Sequence, residues 1–124
     1  MQMKKAVDGA FQLETFDSPE HASESVYTFE TDELTALCPF DFGGPDYYGL
    51  TVRYTPAADA LESKSLKEFL EGFRSRELTA ERLASEIYGS VEASIDPERL
   101  YVRLEQARRG GIEETVEVGD VDLR

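Results

Sequence analysis

Cys38 is the only cysteine in the 124-residue chain, and it stands before Pro39 and a loop marked by Gly43, Gly44 and Pro45. By position alone two readings are open. A free cysteine is usually a small buried apolar residue; a catalytic one is a thiolate, which needs a nearby base or cation. Asp46 follows the Gly43-Gly44-Pro45 turn and could fold back towards Cys38, or serve only as a turn residue. In Glu62-Ser63-Lys64-Ser65-Leu66-Lys67, Ser63 can cap a helix whose first turns carry Lys64 and Lys67. Lysines there oppose the helix dipole, a penalty that a bound phosphate would reverse by meeting free N–H groups, hydroxyls and ammonium groups. The alternative is a solvated face, although a chain with four lysines places two of them here.

Arg108-Arg109-Gly110-Gly111 is the second basic spot, either a hairpin turn with charged flanks or a phosphate contact with close backbone approach. Glu81, in the first turn of a second helix, either complements the dipole or accepts from the N1–H and 2-amino group of a guanine-like base. Other chemistries lack their residues. The only histidine, His21, lies in a polar stretch, so neither a Cys/His zinc site nor a serine triad is readily assembled, and no phosphate-binding glycine motif is present. No metal site is expected.

These residues need elements to hold them. Residues 1–24 read as an extended polar lead-in, with 17–24 as loop, and residues 25–124 as a single domain. Residues 25–37 read as a strand bent at Asp32, and Tyr48 to Tyr54 as a second, with Leu50, Val52 and Tyr54 on one face. Leu66, Phe69, Leu70 and Phe73 form one helical stripe. Thr79 caps a second helix carrying the row Leu83, Ile87 and Val91, which Asp96-Pro97 ends. Leu100, Val102 and Leu104 alternate with Tyr101, Arg103 and Glu105 in a third strand, and Ile112 to Val118 make a fourth. The order ββααββ predicts an α+β fold, a four-stranded antiparallel sheet with two antiparallel helices on one face. Its edge strands need partners, so self-association is expected.

Composition bounds the rest. With 26 acidic against 13 basic residues the formal charge is −13. The surface disfavours nucleic-acid binding, and the lysine-poor acidity suggests a salt-adapted cytoplasm, the alternative being an acidic protein of an ordinary cell. No apolar run is long enough for a membrane span, no signal peptide is evident, and a lone cysteine fits a reducing, cytoplasmic setting.

From about Leu34 to Ile112 the chain resembles the unimodular 7-cyano-7-deazaguanine reductases, nitrile reductases of the queuosine pathway built on the tunnelling fold. The resemblance is carried by Leu37-Cys38-Pro39, Pro45-Asp46, Glu62-Ser63-Lys64-Ser65-Leu66-Lys67, Phe73-Arg74, Glu81 and Arg109-Gly110-Gly111-Ile112. It implies that Cys38 adds to the nitrile of a 7-deazaguanine base to form a covalent thioimide, that Asp46 protonates the nitrogen, and that Glu81 anchors the ring. It implies that Glu62, with Ser63 beside it, contacts the base from a neighbouring subunit. It further implies that Lys64, Ser65, Lys67, Arg109 and Gly110 serve NADPH, and that subunits form a ring or double ring with sites at their interfaces. The chain departs from the family at Ala80, where a histidine is usual, in a Cys38-to-Asp46 loop one residue longer that makes Asp41 a substitute acid, and at Glu68, where an apolar or aromatic residue is usual. Two alternatives accompany this reading: an archaeal amidinotransferase that adds ammonia to the nitrile base in tRNA, and a nucleobase-binding oligomer without turnover.

Overall fold

The computed structural model describes residues 4–7, 10–40 and 44–124; Asp41, the substitute acid, lies outside them. Strands β1 (Lys4–Val7) and β2 (Ala10–Gln12) pair antiparallel. Strand β3 (Thr15–Asp17) pairs antiparallel with β6 (Asp59–Leu61). The main sheet has the order β4 (Tyr27–Leu37), β5 (Pro45–Thr55), β7 (Arg99–Arg109), β8 (Ile112–Gly119), with every neighbour antiparallel. Helices α1 (Ser63–Glu71) and α2 (Ala80–Ile95) lie between β6 and β7 in the chain. The expected ββααββ order is therefore the frame of the fold.

Period-two alternation explains the inner face of the sheet. Asp46, Tyr48, Leu50, Val52 and Tyr54 of β5 are all buried, as are Leu100, Val102 and Leu104 of β7. Against them α2 lays Leu83, Ile87 and Val91, all fully buried, and α1 lays Leu66 and Phe69. Thr79 caps α2 as expected, its hydroxyl accepting from the Arg82 N–H at 3.2 Å, a contact worth about 1 kcal/mol. Asp96 ends α2 in the left-handed region before Pro97. The bend expected at Asp32 is an irregularity in the β4–β5 register between Thr31 and Leu34.

Four details differ from the sequence reading. The segment 17–24 is not loop throughout: Asp17 ends β3, and Ala22–Glu24 form a 3-10 turn. Phe73 lies beyond the end of α1 yet stays buried, edge-on to Phe69 at 5.1 Å. The cap of α1 is Glu62, not Ser63: its carboxylate accepts from the Lys64 N–H at 2.8 Å and the Ser65 N–H at 2.7 Å. Tyr101, on the outward parity of β7, is fully buried. The C-terminal turn Val121–Leu123 contacts β7 on that side, and Arg53 donates to the Leu123 carbonyl.

Candidate functional site

β5 runs antiparallel to β4 with Ala36 opposite Asp46 and Leu37 opposite Pro45. That register returns the chain from the Cys38 loop so that Asp46 stands at the strand end Cys38 has just left. Asp46 points inward and is 4% exposed. A buried carboxylate needs a partner, and Arg109, at the far end of β7, supplies it as an ion pair through its guanidinium. Asp46 foremost, with Cys38 nearby, holds Arg109 firmly protonated. Cys38 is partly exposed, and its Sγ accepts from the Phe40 N–H at 3.4 Å. Three residues distant in sequence thus form one cluster, with a positive charge beside the sulfur and the carboxylate.

Arg109 holds its place because the β7–β8 hairpin turns in two residues. Gly110 and Gly111 have φ of 58° and 83°, and Arg109 pairs with Ile112 across the turn. Both central residues need positive φ, which glycine adopts without strain. Gly110 therefore has a conformational role in positioning Arg109.

Glu81 sits in the first turn of α2, where it hydrogen-bonds Glu114 of β8 and the capping hydroxyl of Thr79. The two carboxyls share a proton. The bond to Glu81 and burial push Glu114 up to about 7, while the bond from Glu114 holds Glu81 below its ordinary range. Glu114 was not singled out from sequence; within Glu113-Glu114 it reads as an exposed pair of charges, yet it shares the inward parity of Val116 and Val118 and lies in the cross-sheet row Tyr48, Gln106, Glu114. Tyr48 also escaped sequence reading. Its phenol is pushed well above its ordinary range by burial, with Asp46, Glu114, Cys38 and Glu81 adding in that order.

The Glu62-to-Lys67 stretch is disposed differently. The Lys64 and Ser65 N–H groups meet the Glu62 carboxylate, which those bonds hold below its ordinary range. They are therefore not free for a phosphate in this conformation. The Ser65 hydroxyl is buried against the backbone of Glu14 and Glu62. Lys64 and Lys67 are exposed. Ser63 and Lys67, with Arg74, line a cleft of about 480 Å³ between α1 and β4, whose walls include Phe29, Leu34 and Leu70. Glu30, Glu33 and Glu71 line it as well, so three carboxylates stand beside the two cations, with an apolar wall between α1 and the sheet.

A family model described as QueF-like protein matches residues 45–122. The chain belongs to the QueF-like family. Among curated relatives, the NADPH-dependent 7-cyano-7-deazaguanine reductase of Syntrophus aciditrophicus is 38% identical, the match covering 86% of this chain and 75% of the relative. The protein of the same name from Thioalkalivibrio sulfidiphilus is 35% identical over 84% of this chain and 80% of its own length. Among solved structures, the apo form of the archaeosine synthase QueF-Like superposes with a TM-score of 0.67 at 25% identity, covering 77% of this chain and 92% of that one. The fold of this QueF-like chain is the tunnelling fold that the sequence resemblance implied.

Proposed function

We propose that the chain is an NADPH-dependent nitrile reductase that converts 7-cyano-7-deazaguanine to its 7-aminomethyl form. The observation that carries this reading is the cluster of Cys38, Asp46 and Arg109 at one end of the sheet, with the Glu81–Glu114 pair on the cross-strand row of Tyr48. The names of the curated relatives give the reaction its substrate and cofactor.

In this reading the Cys38 sulfur attacks the nitrile carbon. A C–S bond forms, one C–N π bond opens, and the proton that leaves the Cys38 thiol passes by way of the Asp46 carboxylate to the nitrogen, leaving a thioimide. The Arg109 guanidinium lies beside both the sulfur and Asp46, and it offsets negative charge on either. Glu81 accepts from the N1–H and 2-amino group of the base and sets the nitrile over Cys38. NADPH, when bound, would supply two hydrides; between them the C–S bond breaks and returns the Cys38 sulfur, and two protons restore the thiol and complete the amine. Lys67 and Arg74 would hold its phosphates along the α1–β4 cleft, with Ser63 at the cleft mouth.

Assembly into a ring with sites at subunit interfaces belongs to the same proposal. Phe40, Tyr47 and Ile112 are 66%, 58% and 74% exposed in the single chain. Each lies within three residues of Cys38, Asp46 or Arg109, so a neighbouring subunit seated on them would cover the site. Glu62 would then contact a neighbour's base. A cytoplasmic setting and salt adaptation are part of this reading, supported by the formal charge of −13 and four lysines; no helix among the described residues is long and apolar enough to cross a membrane.

A second reading is favoured by the similarity to an archaeosine synthase: the same cysteine chemistry, with ammonia rather than hydride adding to the nitrile carbon. One experiment separates the two. The protein is incubated with 7-cyano-7-deazaguanine and NADPH at high salt, and the near-ultraviolet absorbance of the reduced cofactor is followed. Cofactor oxidation that is lost in Cys38→Ala supports reduction. A covalent adduct without oxidation overturns it in favour of the amidinotransferase, and neither signal points to a binding module.

A further inference from the structure

Four buried side-chain polar atoms lack a hydrogen-bond partner among the described residues, Glu14 Oε1, Ser18 Oγ, Arg103 Nε and the Tyr48 hydroxyl, and only the last stands two residues from Asp46 on the inner face of the sheet. Tyr48 is 2% exposed. Leaving such a group unpaired costs about 1–3 kcal/mol, and a phenylalanine would fill the same space without that cost. A buried orphan donor of this kind calls for a partner from outside the chain.

Its place in the sheet indicates where that partner sits. Tyr48 is on the inner face of β5, two residues after Asp46. It is cross-strand from Gln106, which is itself opposite Glu114. The strand of Tyr48 lies between β4, which ends one residue before Cys38, and the β7–β8 pair that carries Glu114, and burial, Asp46, Glu114, Cys38 and Glu81 all push its phenol up. Burial and these acidic neighbours keep it protonated, so it is a fixed neutral donor. Ala80, buried just before Glu81, has only a methyl group and supplies no donor of its own.

We infer that the Tyr48 hydroxyl donates to the C6 carbonyl oxygen of the bound deazaguanine and so selects a 6-oxo base. This inference rests on the substrate proposed above. In that base the C6 carbonyl lies between the N1–H edge and the carbon bearing the nitrile. With Glu81 on the edge and Cys38 at the nitrile, the carbonyl falls between the two, in the interval that Tyr48 occupies. A site built around a buried donor rejects a ligand lacking the acceptor, because the donor then stays unpaired.

The test uses equilibrium binding in a Cys38→Ala background, which removes covalent capture. Two probes are titrated by calorimetry: 7-cyano-7-deazaguanine and its analogue with sulfur in place of the C6 oxygen, which keeps the N1–H for Glu81 but is a poor acceptor. Tyr48→Phe is expected to weaken the oxo base about tenfold or more, to leave the analogue unchanged, and to hold or raise the melting temperature of the free protein. Equal weakening of both probes, or a lowered melting temperature, would show a structural role and overturn the inference. Unchanged binding of the oxo base to Tyr48→Phe would overturn it while leaving the substrate intact. Failure of the Tyr48 parent to bind the oxo base overturns the substrate reading, and this inference with it.

Discussion

Asp46 and Arg109 form an ion pair 63 positions apart in sequence, the carboxylate 4% exposed and the guanidinium side chain 39% exposed. The pair ties the start of β5 to the end of β7 beside Cys38. Removing Arg109 strands a buried carboxylate. Arg109→Ala is therefore expected to lower stability, by less than breaking a fully buried pair because the arginine reaches solvent. Urea unfolding of the two single variants and the double variant Asp46→Asn/Arg109→Ala checks this. The double variant should be more stable than the sum of the single losses predicts.

The Glu81–Glu114 pair makes stability depend on pH. Glu114 titrates near 7 when folded, above its ordinary value of 4.5, so between those values the folded state holds a proton that the unfolded state has released. Its contribution is complete below about pH 4.5 and is lost as pH rises through about 7. Glu81 is shifted the other way, so its contribution fades only at acid pH. The melting temperature should fall between about pH 5 and pH 8, and Glu114→Gln should flatten that slope. An unchanged slope in the variant would contradict the shared proton.

Gly119 is fixed by its surroundings. It has φ of 95°, and a Cβ there would lie 2.4 Å from the Leu100 carbonyl oxygen and 2.5 Å from the Tyr88 ring. Gly119→Ala is expected to destabilise by about 2 kcal/mol or more, measured as a lowered denaturant midpoint.

The α1–β4 cleft predicts a separation of kinetic effects. Lys67→Glu places a negative charge where cofactor phosphates would lie. Steady-state kinetics should show the KM for NADPH raised about tenfold or more, with the KM for the base little changed.

The frame of the protein was legible from local pattern. The row Leu83, Ile87 and Val91 and the alternation of Leu50, Val52 and Tyr54 each report burial directly, because a helix or strand face is set by neighbours in sequence. What depended on register was not legible. Asp46 was a candidate by spacing, but its partnership with Arg109 follows from Ala36 lying opposite Asp46 and from the two-glycine hairpin. Tyr48 and Glu114 share the inward parity of Leu50 and of Val116 on their own strands, but only the cross-strand register shows that both lie near Asp46 and Glu81. Thr15–Asp17 is too short to show a period, and it becomes a strand by pairing with Asp59–Leu61. The α1 cap fell to Glu62 because its longer side chain reaches two N–H groups at once.

The central claim is that Cys38 attacks a nitrile, and intact-protein mass spectrometry tests it most directly. The protein is incubated with 7-cyano-7-deazaguanine and no reduced cofactor, then desalted and weighed. Addition has no leaving group, so the account predicts a mass gain equal to the whole base, located on the peptide bearing Cys38 and absent from Cys38→Ala. An unmodified mass at saturating base, or a gain that persists in Cys38→Ala, would contradict it.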